Sequence, residues 1–111
     1  MKIDQRTDGD TLVIQPVIKS LDASSVQDFR DAINPLLRQH DKIVVDLGNV
    51  AFIDSAGVGA LISCLRVVSE LKGRFAICGL TRAVNALFDL MRMHRVFEVH
   101  ADSASALRSL A

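Results

Sequence analysis

An aspartate and a serine stand side by side at Asp54-Ser55. They lie between an apolar entry, Val50-Ala51-Phe52-Ile53, and a glycine-bearing apolar run, Gly57-Val58-Gly59-Ala60-Leu61. Three kinds of chemistry use such a string: a serine attacks as a nucleophile, glycine amides cradle a phosphate, or the serine itself accepts a group from a visiting enzyme. Nucleophilic attack needs a base. The histidines are His40, His94 and His100, and none stands in a motif that implies contact with Ser55. No G-x-S-x-G elbow is present either, so a small serine hydrolase is the third-ranked reading. Gly57-Val58-Gly59 matches neither the Walker spacing nor G-x-G-x-x-G, and no lysine follows where phosphates need one. The glycines serve either close packing of a helix start on a sheet or close approach of a partner's backbone.

The third chemistry matches the residues best. Ser and Asp are strong helix N-caps because their side-chain oxygens accept N–H groups that the first turn leaves unpaired. A helix start also carries partial positive charge, which tolerates a group that gains negative charge. Ile53 and the apolar residues beyond should anchor this knuckle on the core and leave the serine at the surface. On the residues alone, however, a serine so placed is usually just an ordinary cap worth ~1 kcal/mol, and that reading is favoured for Ser55. Asp54 is an alternative cap, with Ser55 then in the first turn.

The elements that must position this knuckle follow from hydrophobic periodicity. Lys2 to Arg6 and Thr11 to Ile18 form a hairpin across Asp8-Gly9-Asp10, with Pro16 marking an edge or bulge. Leu21-Asp22-Ala23-Ser24-Ser25 offers caps for a helix reaching about Gln39, with Val26, Phe29, Ile33, Leu36 and Leu37 on one stripe. Pro35 should kink or restart it. His40 then meets the helix C-terminus. Lys42 to Leu47 is a central buried strand, and Asp46 at its end should bond nearby loop amides. After Ser55 a helix runs through Val58, Leu61, Cys64, Leu65, Val68 and Leu71 to Lys72-Gly73, where Gly73 suits a left-handed cap. Arg74 to Cys78 is another buried strand. Thr81 caps a helix that turns Val84, Leu87, Phe88 and Met91 inward. Arg95 to Val99 is a last strand, flanked by His94 and His100 at the surface, and Asp102 caps a terminal helix with Ala106, Leu107 and Leu110 inward. Arg82, Arg92 and Arg95 read as a solvated face, while Leu90 and Met93 fall off the inward stripe and form a small apolar surface patch.

Strands separated by helices need crossovers, which favour parallel pairing. The expected architecture is a single α/β domain over residues 1–111, with a mixed, mostly parallel sheet of four to five strands packed against about four helices. Thirteen basic and thirteen acidic residues give no global field to attract nucleic acid or an anionic membrane. No apolar run approaches the ~20 residues of a membrane span. The charged opening, Met1-Lys2-Ile3-Asp4-Gln5-Arg6, is unlike a signal peptide, so a cytoplasmic location is expected. Cys64 and Cys78 have no metal-ligand spacing and read as small buried hydrophobes, so neither metal nor cofactor is expected. Balanced charge without a long apolar edge is compatible with a monomer.

Two strings then take on more meaning together. Ile43-Val44-Val45-Asp46-Leu47, followed by Phe52-Ile53-Asp54-Ser55-Ala56-Gly57-Val58-Gly59-Ala60-Leu61, resembles the signature of STAS domains, particularly the bacterial anti-sigma-factor antagonists. Leu21-Asp22, Cys78-Gly79-Leu80 and Val96-Phe97-Glu98-Val99 fit the same pattern in order. The resemblance implies a non-enzymatic binding module that works by partner switching. Its serine would be phosphorylated by an anti-sigma factor that is itself a serine kinase of the histidine-kinase-like ATPase type. A PP2C-type phosphatase would reverse the modification. The unphosphorylated form would capture the anti-sigma factor and free the sigma factor. By position the phosphoacceptor is Ser55, and the partner-binding residues are Asp22, Asp54, Ser55, Ala56, Gly57, Val58 and Gly59. Asp22 serves to cap its own helix, to touch a partner, or both. Lys19-Ser20 stands where the family often has Gly-Glu, and Ala56 replaces a frequent second serine, which leaves Ser55 as the sole acceptor in the motif. The alternative reading is a non-switching STAS subunit of a larger assembly, such as a lipid-transport complex or a stress-signalling particle.

Overall fold

Ile43, Val44 and Val45 are all fully buried, although neighbours along a strand point to opposite sides. Such a strand needs cover on both faces, and the fold is arranged to supply it. The computed structural model describes residues 1–111 as an α/β domain. Its elements are β1 (Ile3–Asp8), β2 (Thr11–Pro16), β3 (Ser20–Leu21), α1 (Val26–Leu37), β4 (Lys42–Asp46), β5 (Phe52–Ile53), α2 (Ser55–Glu70), β6 (Arg74–Cys78), α3 (Arg82–Leu90), β7 (Glu98–His100) and α4 (Ser103–Leu110).

Five strands make the main sheet in the order β1-β2-β4-β6-β7. The β1–β2 hairpin is antiparallel, while β2–β4, β4–β6 and β6–β7 are parallel. One face carries the larger core. There Ile43 and Val45 meet Phe29, Ile33 and Leu37 of α1, Val58, Leu61 and Cys64 of α2, and Val84 and Phe88 of α3. The other face carries a smaller cluster, in which Val13, Val44, Ala76 and Cys78 meet Ala106 and Leu110 of α4. No helix is long and apolar enough to cross a membrane.

The structure departs from the sequence reading in local ways with definite causes. A separate two-stranded parallel ladder, β3–β5, was not anticipated. Helix α1 begins at Val26, after the polar loop has closed on itself, and runs unbroken through Pro35 to Leu37. Pro35 and Asp31, the residue whose carbonyl loses its bond, are both exposed, so water takes that bond. His40 therefore stands beyond the helix end rather than in its last turn. At the end of α2 the left-handed residue is Lys72 (φ 62), not Gly73. Gly73 is needed for a different reason: a Cβ there would overlap the Asp41 carbonyl oxygen. The last strand starts at Glu98, because Met93–Arg95 forms a 3-10 turn. That turn lets Phe97 enter the core, with ring centroids 5.8 Å from Phe88 and 6.3 Å from Phe75. His100 accordingly lies within β7 instead of beside it.

Candidate functional site

The small β3–β5 ladder builds the site. Its register pairs Ser20 with Phe52 and Leu21 with Ile53. The next residue of each strand is an aspartate, so Asp22 and Asp54 leave the ladder side by side, with parallel neighbours about 5 Å apart. Each then opens a loop or helix: Asp22 leads to α1 and Asp54 to α2.

Asp54 is the N-cap of α2, with extended backbone and its Oδ1 accepting the Gly57 N–H at 3.0 Å. Ser55 is therefore the first helical residue, and it is exposed. This settles the choice between two caps in favour of Asp54. The Asp54 Oδ2 accepts the Ala23 N–H at 3.1 Å, which ties the start of α2 to the loop after β3.

Asp22 organises its own loop. Its Oδ1 accepts the Ser24 N–H (2.9 Å), the Ser24 hydroxyl (2.6 Å) and the Ser25 N–H (3.2 Å). The Ser24 hydroxyl bond leads in holding the Asp22 carboxyl below the usual carboxylate range, with the two amides adding to it. Ser25 completes the loop, donating its hydroxyl to the Ser20 carbonyl (2.8 Å) and accepting the Asp22 N–H (3.1 Å). The residues Ser24 and Ser25 were visible as capping candidates. Their use as a closed Asp-Ser turn is the local chemistry that short polar side chains favour.

The remaining residues of the motif separate by depth. Gly57 and Val58 are buried, while Ala56 and Gly59 are half-buried beside Ser55. A Cβ on Gly57 would collide with the Leu21 carbonyl, whereas nothing lies within 4 Å of one on Gly59. The two glycines thus answer differently to the two roles considered for them: Gly57 is packed, Gly59 is open. Asp46 bonds the Gly48 N–H at 2.8 Å, as its place at the end of β4 suggested. Thr81 stands at the N-cap position of α3 as expected, but its hydroxyl makes no cap bond and donates to the Val50 carbonyl at 2.9 Å, which fixes the approach to β5.

No imidazole serves Ser55. His94 Nε2 is 2.9 Å from Asp89 and His100 Nε2 is 2.8 Å from Glu98, while His40 precedes β4 with its Nδ1 sealed and unbonded. No cluster of His, Cys, Asp and Glu has the makings of a metal site. One apolar feature borders the knuckle: Phe52 is 53% exposed and Leu90 80%, on either side of a shallow cleft floored by Ile53 and Leu87. Met93, grouped with Leu90 on sequence grounds, packs against the core.

Comparison with known proteins supplies the wider context. The anti-sigma F factor antagonist of Paenibacillus polymyxa is 27% identical over 73 residues, covering 66% of this chain and 62% of that protein. The match thus spans less than two-thirds of that relative's length. The anti-sigma-B factor antagonist of Bacillus subtilis is 23% identical over 79% of this chain and 81% of its own. Among solved structures, an anti-sigma factor antagonist from Mycobacterium paratuberculosis superposes with a TM-score of 0.88 at 16% identity, covering 98% of this chain and 92% of that one. SpoIIAA in its unphosphorylated form gives 0.74 at 20% identity over 97% of this chain and 96% of that one. The profile of the STAS domain matches residues 2–106. Nearly the whole chain is covered by that match and folds as those structures do, and the protein belongs to the STAS domain family.

Proposed function

We propose that this chain is an anti-sigma-factor antagonist switched by phosphorylation of Ser55. The unphosphorylated form binds an anti-sigma factor that is a serine kinase of the histidine-kinase-like ATPase type, and so releases a sigma factor. Phosphorylation of Ser55 ends that binding, and a PP2C-type phosphatase restores it. The observation that carries the reading is an exposed serine at the first position of α2, beside two carboxylates that the backbone holds in place. The partner meets Asp22, Ser55, Ala56 and Gly59 directly, while Asp54, Gly57 and Val58 shape that surface from behind.

Physical magnitudes make the switch workable. A phosphoserine carries about −1.5 to −2 charges. The positive end of α2 offsets about 0.3–1 kcal/mol of the repulsion from Asp22 and Asp54, up to ~2 in a partly buried setting. Water handles the remainder in the free domain. Docking removes that water, and a charge left unpaired in an interface costs about 3–5 kcal/mol. That is more than a hundredfold in affinity. Binding is lost while the fold is kept.

The test is incubation with a candidate anti-sigma kinase and ATP, followed by intact mass. A gain of one phosphate on the wild type and none on Ser55→Ala supports the reading. A wild type that binds the kinase but takes no phosphate, or takes it elsewhere, overturns it in favour of a non-switching subunit.

A further inference from the structure

The carboxylate of Asp54 is divided between two segments far apart in sequence. Its Oδ1 accepts the Gly57 N–H (3.0 Å) within its own helix start, and its Oδ2 accepts the Ala23 N–H (3.1 Å) from the loop after β3. A cap needs only the first of these bonds. The second reaches the loop that carries Asp22.

That loop is otherwise self-sufficient. Asp22 N–H donates to Ser25 Oγ (3.1 Å), Ser24 and Ser25 N–H to Asp22 Oδ1 (2.9 and 3.2 Å), and Val26 N–H to the Asp22 carbonyl (2.9 Å). Ala23 is the one amide in it that depends on α2. Just before it, the Leu21 carbonyl packs on Gly57 and accepts the Asp54 N–H at 3.3 Å. The two segments are in contact up to Leu21 and meet again where α1 packs on α2, with Arg30 donating to the Ser63 hydroxyl at 3.1 Å. Between those points the Asp54 carboxylate supplies the hydrogen bond from the start of α2 to the loop.

We propose that Asp54 is a positioning residue for phosphoryl transfer to Ser55: it holds the Ala23 amide, and through it the Asp22 loop, at a fixed distance from the acceptor serine. The kinase then meets the Asp22 carboxylate and the Ser55 hydroxyl in one arrangement and spends no binding energy on aligning the loop with the serine. Asp54 acts here through the loop, each of its oxygens accepting an amide of its own chain. This inference rests on the reading of Ser55 as the acceptor.

Asp54→Asn isolates the role. An asparagine side chain offers a single acceptor oxygen, so only one of the two bonds survives. Asn is also a good N-cap, which favours retention of the Gly57 bond. Amide exchange measured by NMR on the free domain should show Ala23 exchanging about tenfold faster in the variant, with Gly57 still protected, the size expected for one lost hydrogen bond. In the kinase assay KM should rise about tenfold while kcat stays within about twofold, since the loss lies in presentation rather than in chemistry. Asp54→Ala removes both bonds and should expose Gly57 as well. If that variant fails to fold, the asparagine variant still decides.

Three results would overturn the proposal. KM could stay at the wild-type value although Ala23 is exposed. Ala23 could remain protected in the asparagine variant. Or KM could rise with Ala23 still protected, which would make Asp54 a direct partner contact. A wild type that accepts no phosphate on Ser55 defeats the reading of the acceptor, and this role falls with it; intact mass of the wild type distinguishes that failure from the other three, all of which require a phosphorylated Ser55 or the exchange data alone.

Discussion

The Leu21 carbonyl oxygen occupies the space that any side chain on Gly57 would need. This contact locks the first turn of α2 onto the end of β3, and with it the height at which Ser55 stands above the sheet. Two residues on, Gly59 faces open space. Alanine at the two positions should therefore act in opposite directions. Gly57→Ala forces backbone apart and should cost about 1–3 kcal/mol, a fall of about 5–15 °C in Tm for a domain of this size. Gly59→Ala should stabilise by about 0.5–1 kcal/mol through helix propensity alone. Thermal unfolding of both variants checks the pair. If a partner's backbone uses the gap at Gly59, the second variant will also bind the proposed anti-sigma factor more weakly while being the more stable protein.

Much of this architecture could be read from local pattern, and what could not has a common cause. The buried run Ile43-Val44-Val45 and the stripe of α1 announce themselves because periodicity over several residues survives any context. The knuckle at Asp54-Ser55 was legible as a helix start for the same kind of reason. The β3–β5 ladder was not, since Ser20-Leu21 and Phe52-Ile53 are each too short to show a period, and only their pairing across the fold makes them strands. The second bond of Asp54 was hidden in the same way: its partner is the amide of Ala23, and a backbone amide leaves no mark on sequence. The Thr81 hydroxyl and Gly73 took other roles because a tertiary contact outweighed a local preference, the hydroxyl finding Val50 and Gly73 packing against the Asp41 carbonyl.

Ser55→Asp should separate binding from folding. Asp54 already caps α2, and Ser55 is exposed at its first position, where a negative charge is favoured by the helix start. The variant's Tm should lie within a few degrees of wild type, as for most exposed substitutions. Its affinity for the proposed kinase partner should fall by about a hundredfold or more, the effect of an uncompensated interface charge. Calorimetric titration and a melting curve are enough. Wild-type affinity, or loss of the fold, would remove the electrostatic account.

Acid should loosen the edge at β7. Glu98 accepts Arg74 (2.9 Å), His100 (2.8 Å) and Ser109 (2.7 Å), which joins β6, β7 and α4 through one carboxylate. Burial raises the Glu98 carboxyl, but the bonds from His100, Ser109 and Arg74 prevail and hold it below the ordinary glutamate range. A carboxyl with a depressed folded-state pKa stabilises the fold above its unfolded value, ~4.3. That contribution is lost as pH falls through the lower folded-state pKa. With Glu98 partly exposed, the contribution is about 0.5–1 kcal/mol. Glu98→Gln should thus melt slightly below wild type at neutral pH and show a flatter decline below about pH 4.5. Asp22 and Asp102, also held low by bonds from Ser24 and Ser105, keep the slope from vanishing. Equal slopes for variant and wild type would show that Glu98 titrates alike in both states.

The two cysteines should report on the two faces of the sheet separately. Burial pushes each thiol up to about 12, aided at Cys78 by the Asp46 and Asp102 carboxylates. Thiolate is the reactive form, so at pH 8 neither should react with an aromatic disulfide reagent until the structure opens. Cys64 lies in the large core under α2, whereas Cys78 lies in the small cluster covered by α4. Helix α4 spans only Ser103–Leu110 and buries Ala106 and Leu110, so its detachment uncovers far less apolar surface than global unfolding does. Local opening of that kind sits at the low end of a protein's free-energy scale. Cys64→Ala, which leaves only Cys78, should therefore label faster than Cys78→Ala, and its rate should respond weakly to denaturant. Slow labelling of both variants with the same steep denaturant dependence would mean that α4 leaves only when the whole domain unfolds.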